Sequence, residues 1–89
     1  MDDEIRSVLA VYARLPLEVR TLNDDDDLYQ AGLTSHANVN VMLALEEQFG
    51  IEFPESFLRR STFESIRSIR STIAALVFEG QPGMSNGDQ

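Results

Sequence analysis

The chain has no cysteine, no tryptophan and no lysine. Without cysteine there can be no disulfide and no thiolate-bound metal, and the polypeptide has no nucleophilic sulfur of its own. All seven basic residues are arginine and they face 15 acidic ones, a formal charge of -8. That sign disfavours nucleic acid and anionic membranes, both of which demand cationic surface. It favours partners with basic patches. No apolar run approaches the roughly 20 residues of a membrane-spanning helix. The opening Met1-Asp2-Asp3-Glu4 is acidic and lacks the pattern of a secretory signal, so a cytoplasmic protein is expected. The lone histidine, His36, cannot assemble a zinc site without cysteines. Nor does it form a catalytic dyad with Ser35, because consecutive helical residues point in different directions. No Gly-x-Ser-x-Gly turn surrounds that serine, and no catalytic activity of its own is expected.

What is present is one small domain of 89 residues, 43% hydrophobic. A domain of this size is stabilised by only about 5–10 kcal/mol, so single caps and ion pairs matter. The most regular helical pattern follows Gly32-Leu33-Thr34-Ser35-His36 and runs through Phe49. Val39, Met42, Leu45 and Phe49, with Val41 and Leu43 beside them, have the spacing of one buried face. Gly50 suits the end of that helix. Ser35 stands where a loop becomes a helix. Its oxygen could cap an orphan N–H there, and the positive end of the helix dipole also suits a phosphate.

A first helix is expected from Asp2 or Asp3 to Arg14, burying Ile5, Val8, Leu9 and Tyr12, with Pro16 as its stop. The connection from Leu15 to Thr34 is long but holds Leu17, Val19, Leu22, Leu28, Tyr29 and Leu33, which should pin it across a bundle. Its run Asp24-Asp25-Asp26-Asp27 reads as a solvated turn with one Asp capping a short helical turn. A calcium loop fails because the sixth-position Gly and the closing Glu are missing. After an extended Ile51-Glu52-Phe53-Pro54, a short helix is expected through Leu58. A last helix is expected from Ser65 to Phe78, burying Ile66, Ile69, Ile73, Leu76 and Val77 and exposing Arg67 and Arg70. These arginines, with Arg59 and Arg60, suit local salt bridges or a partner contact. The domain is thus expected over residues 1–78, with a flexible polar tail over 79–89. No strand pairs are evident. The fold class is all-α, a bundle of three main helices plus one short helix.

Two stretches carry a resemblance. Asp27-Leu28-Tyr29-Gln30-Ala31-Gly32-Leu33-Thr34-Ser35 and Leu45-Glu46-Glu47-Gln48-Phe49-Gly50-Ile51-Glu52-Phe53-Pro54, at this separation, look like an acyl carrier protein. The similarity covers roughly Ile5 to Leu76. It implies that Ser35 is the attachment serine for 4'-phosphopantetheine, moved from coenzyme A by a phosphopantetheinyl transferase. The arm's thiol would then carry cargo as a thioester to a downstream acyl-accepting enzyme. It also implies that partners dock on the helix following Ser35, through Thr34, His36, Val39, Asn40, Glu46 and Glu47.

The family usually has Asp before the serine and Leu after it, where this chain has Thr34 and His36. Ala37, Asn38 and Asn40 replace residues that are often acidic in fatty acid carriers. Thr34 is placed to take over the capping role. His36 either tunes docking or is merely solvated. These departures favour a specialised free-standing carrier, an aminoacyl carrier charged by a separate ATP-dependent ligase. A fatty acid or polyketide carrier is the alternative, and a helical interaction module without a prosthetic group is the reading from another class.

Overall fold

The first acids, Asp2, Asp3 and Glu4, fill the first turn of α1 (Asp2–Val8), where negative charge suits the helix dipole. The computed structural model describes residues 1–79. α1 passes directly into a π-helical stretch, Leu9–Ala13. The wider turn rotates the chain, so Ala13 is buried and Tyr12 is 43% exposed. The expectation that Tyr12 belongs to the core fails for this reason: its spacing counts 3.6 residues per turn, and the π stretch does not keep that count. Ile5, Val8 and Leu9 are buried as expected. Arg14, in the left-handed conformation at φ 56°, ends the helix two residues before Pro16.

The connection that follows is built rather than loose. It contains a 3-10 turn, Val19–Thr21, and a short helix, α2 (Leu28–Ala31). Arg6, half-buried on α1, donates to the carbonyls of Val19 at 3.0 Å and Leu22 at 3.1 Å and to Asp24 Oδ1 at 3.0 Å. The four aspartates are more than a solvated turn. Asp24 also accepts from Arg70 at 3.2 Å, and Asp25 pairs with Arg67. Asp26 Oδ2 accepts from the Asn23 N–H, and Asp27 Oδ1 caps α2 through the N–H groups of Tyr29 and Gln30. Thus Arg67 and Arg70 make local salt bridges. Arg70 also donates to both carboxylate oxygens of Asp2 at 2.8 Å, closing the N-terminus onto the last helix.

The central helix is α3 (Ser35–Phe49), ended by Gly50 in the left-handed conformation. Its core stripe is Ala37, Val41 and Leu45, spaced by four. Val39 and Leu43, expected on or beside the buried face, are 51% and 53% exposed, while Met42 and Phe49 are only half-buried. The helix is apolar on more sides than it can bury. Its contacts with α1 and the π stretch select which side goes inward.

A short helix was expected after Pro54. The segment forms only a 3-10 turn, Glu55–Phe57, and a second such turn follows at Arg60–Phe63. The short α-helix of the bundle is instead α2. The chain closes with α4 (Ile66–Glu79), which buries Ile66, Ile69 and Ile73 fully and Leu76 and Val77 in part. Among the described residues there are four α-helices and no strand. Apart from Glu79, the last residue of α4, the expected tail lies outside the described residues.

Two predictions follow from these ties. Gly32 holds φ 124°, and a Cβ there would lie 2.8 Å from Pro16 Cδ. Gly32→Ala should therefore destabilise the fold by about 1–3 kcal/mol; an unchanged urea midpoint would refute this. The guanidinium of Arg70 on Asp2, and that of Arg67 on Asp25, hold both carboxyls below their usual range, against a smaller opposing effect of desolvation. A lowered folded pKa contributes stability above the unfolded value of about 4, and that stability is lost as pH falls through the folded value. Wild type should accordingly exceed Arg70→Gln in stability near pH 6, with the gap closing below about pH 4. Denaturation across that range checks the sign.

Candidate functional site

Ser35 is reached through a chain of fixed points. Asp27 caps α2, and the Leu28 N–H donates to the Glu64 carbonyl at 2.7 Å, tying α2 to the segment before α4. The Gly32 and Leu33 N–H groups close back on the carbonyls of Tyr29 and Leu28. Leu28 and Leu33 are buried, so the turn between α2 and α3 is nailed to the core on both sides. Thr34, extended at φ -97° and ψ 162°, then accepts the Ala37 N–H on Oγ1 at 3.0 Å. The cap of α3 is therefore Thr34.

Ser35 is the first helical residue. Its side chain is exposed, and its hydroxyl makes no hydrogen bond among the described residues. A cap would have turned that oxygen inward onto an N–H. With Thr34 in that role, the hydroxyl is left outward on a rigid support.

Beside Ser35 lies a pocket of about 350 Å³. One wall is α3, with Ser35, Asn38, Val39 and Met42; the other is formed by Tyr29 and by Leu58, Arg59, Arg60 and Phe63. Phe63 is held by Phe53, ring centroids 5.3 Å apart. The Arg60 guanidinium stacks on the Tyr29 ring at 3.8 Å. Burial raises the Tyr29 phenol above its usual pKa, with Arg60 pulling the other way. Asn38 buries its Oδ1 without a hydrogen-bond partner.

The residues expected to dock partners are not all alike. Thr34 is exposed but committed to its cap, and His36, Val39, Asn40 and Glu47 are exposed on α3. Val39 shares the pocket beside Ser35. Asn40 and Glu47 line a different depression of about 400 Å³, with Tyr12 and Leu43. Glu46 is half-buried, and its Oε2 accepts the Phe53 N–H at 2.9 Å, bracing the segment that forms the pocket's far wall. Sequence reasoning did not bring Tyr29, Asn38, Leu58 or Arg60 to this site. Asn38 lies at i+3 from Ser35 on one helix, a spacing that the sequence does carry; Tyr29, Leu58 and Arg60 approach Ser35 only through folding, and no spacing rule announces them.

Residues 3–76 match the family model described as phosphopantetheine attachment site. The chain belongs to the phosphopantetheine attachment site family. Its family cofactor is 4'-phosphopantetheine, and the residues present fit that group: an outward hydroxyl beside an open pocket with cationic and apolar lining, one lining residue of which buries an unpartnered amide oxygen.

The chain is 46% identical over 81 residues to an aminoacyl carrier protein of Agrobacterium fabrum, covering 91% of this chain and 96% of that protein. It is 36% identical over 77 residues to D-alanyl carrier protein 2 of Lactiplantibacillus plantarum, covering 85% and 96%. Among solved structures it resembles the Agrobacterium tumefaciens carrier protein in a crystal structure with an engineered Bradyrhizobium japonicum glycine:[carrier protein] ligase and AMP. The TM-score is 0.82 at 47% identity, covering 83% of this chain and 99% of that one.

The split between cap and free hydroxyl in this attachment-site domain makes a prediction about two adjacent residues. Thr34→Ala should lower stability by about 1 kcal/mol, the typical worth of an N-cap. Ser35→Ala should stay within about 0.5 kcal/mol of wild type. Urea unfolding of both variants checks this; a reversed ranking would make Ser35 the cap.

Proposed function

We propose that this protein is an aminoacyl carrier, with 4'-phosphopantetheine attached to the Ser35 hydroxyl and charged by a separate ATP-dependent ligase. The observation that carries the reading is the outward, unbonded hydroxyl of Ser35 beside its capping neighbour Thr34. The similarity to an aminoacyl carrier and to a carrier seen with a glycine-activating ligase supports the cargo class. When bound, the cofactor supplies the thiol that the cysteine-free chain lacks, and that thiol holds cargo as a thioester.

The chain's own residues position and present. Thr34 fixes the first turn of α3 and leaves the Ser35 oxygen free to form a bond to the pantetheine-bearing phosphorus of coenzyme A, as its proton departs and the diphosphate P–O bond breaks to release adenosine 3',5'-bisphosphate. Gly32, Leu28 and Leu33 keep the turn from shifting when a partner engages it. Thr34, His36, Val39, Asn40 and Glu47 form the docking face, with Glu46 contributing as far as its bond to Phe53 allows. Dilution of negative charge at Ala37, Asn38 and Asn40, with apolar Val39 and Leu43 outward, suits partners that recognise shape and apolar surface more than acidity.

The partners in this scheme are a phosphopantetheinyl transferase, the loading ligase and a downstream enzyme that accepts the acyl group. The domain occupies residues 1–78, and the carrier converts nothing by itself. No helix among the described residues is long and apolar enough to cross a membrane, and we place the protein in the cytoplasm.

The test is intact mass after incubation with coenzyme A and a broad-specificity transferase. Wild type should gain one phosphopantetheine and Ser35→Ala none. The modified protein, offered to a panel of adenylating ligases, should then accept an amino acid. Loading of fatty acids alone would turn the assignment to a fatty acyl carrier. No gain of mass at all would leave an interaction module.

A further inference from the structure

We propose that Arg59 and Arg60 hold the phosphate of the attached arm and so lay the arm across the pocket toward Asn38. The inference rests on Ser35 being the attachment point. Of the seven arginines, Arg6, Arg20, Arg67 and Arg70 are ion-paired with carboxylates. Arg14, Arg59 and Arg60 have no carboxylate partner among the described residues, and of these three Arg59 and Arg60 line the pocket that contains Ser35. Asp27 and Glu64 lie close enough to act on Tyr29 but neither pairs with Arg60, so on a chain of formal charge -8 two adjacent arginines without an ion pair, lining the pocket of one free hydroxyl, are a specific placement. Neutralising carboxylates are abundant elsewhere on the surface.

The geometry of Arg60 fits an anion. Stacking on Tyr29 engages the face of the guanidinium and leaves its N–H groups, which lie in the plane, pointing outward as donors. Stacking also limits the side chain's freedom, so less is lost when it grips a ligand. A phosphodiester on Ser35 is a fixed monoanion whose oxygens accept the charge-assisted, two-pronged bonds that guanidinium makes well.

Beyond the phosphate, a pantetheine chain carries amide N–H groups. Asn38 lines the same pocket, and its buried Oδ1 has no hydrogen-bond partner. A rotation of the Asn38 side chain would give that acceptor an amide donor of the arm. The cations line the pocket and the unmet acceptor lies buried on one of its lining residues, so a ligand bearing phosphate and amides matches both once Asn38 turns.

The experiment is phosphorus NMR of the phosphopantetheinylated protein, wild type against the double variant Arg59→Gln/Arg60→Gln, with a phosphopantetheinylated serine peptide as reference. Both arginines are exposed, so the fold should persist, and circular dichroism verifies it. The wild-type resonance should be displaced from the peptide's, and the double variant should return it to the peptide position. The Arg60 Nε–Hε signal should move between unmodified and modified wild type. A second measurement needs no variant: raising salt from about 0.05 M to about 1 M should move the wild-type phosphorus line toward the peptide value as the charges are screened.

A line that coincides with the peptide's, or that is the same in wild type and variant, overturns the proposal while leaving attachment at Ser35 intact. If the substitutions weaken only binding to the ligase, the arginines belong to a contact with an acidic partner surface and the proposal likewise fails. A protein that gains no mass with the transferase overturns both this inference and the carrier assignment.

Discussion

The reach of Arg6 from α1 to the carbonyls of Val19 and Leu22 and the carboxylate of Asp24 is the tie on which the site depends. The twenty residues between the first helix and α3 contain little regular structure, and their carbonyls would otherwise be left to water. One half-buried guanidinium satisfies two of them and neutralises an aspartate, fixing the middle of the connection against the bundle. Asp24 is shared with Arg70, which in turn holds Asp2. The first helix, the connection and the last helix are thereby joined through four side chains. Surface ion pairs are individually weak. These are part-buried and shared, with Arg70 Nη1 serving both oxygens of Asp2 and one of Asp24, the conditions under which such pairs contribute.

The anchoring serves a division of labour between two neighbours. A helix start needs a side-chain acceptor for its orphan N–H groups, and a hydroxyl there stays free only if another residue supplies that acceptor. One residue cannot supply both. Thr34 takes the structural part through its bond to the Ala37 N–H, and Ser35, one residue on, keeps its oxygen free. A Thr at this position can cap as an Asp can, but it adds no negative charge beside Ser35.

Glu46 makes a similar point from the other end of α3. In sequence it reads with Glu47 as an acidic pair available for docking. In the fold its carboxylate receives the Phe53 N–H, and its own carbonyl receives the N–H groups of Gly50 and Ile51. The glutamate thus braces the extended segment leading to Leu58, Arg59 and Arg60. The same helix holds Ser35 at its first turn and braces the opposite wall of the pocket from its last.

Local chemistry alone determined much of this protein. The run of isoleucines at 66, 69 and 73 could bury only one face of a helix, Gly50 could end α3 in a left-handed conformation, and Thr34 before Ser35 could cap it. Each of these depends on interactions within a few residues, which spacing and residue type specify. The family resemblance was legible for the same reason, because the residues of each of its two stretches are consecutive in the chain. Tertiary structure decided the rest. Whether α3 buries Val39 or Val41 depends on which side meets the first helix, and Tyr12 was turned outward by a π turn that no 3.6-residue count contains. The pocket gathers Tyr29, Asn38 and Arg60 from three separate segments. Only packing sets the distances between them, since residues far apart along a chain have no fixed geometry until the core closes.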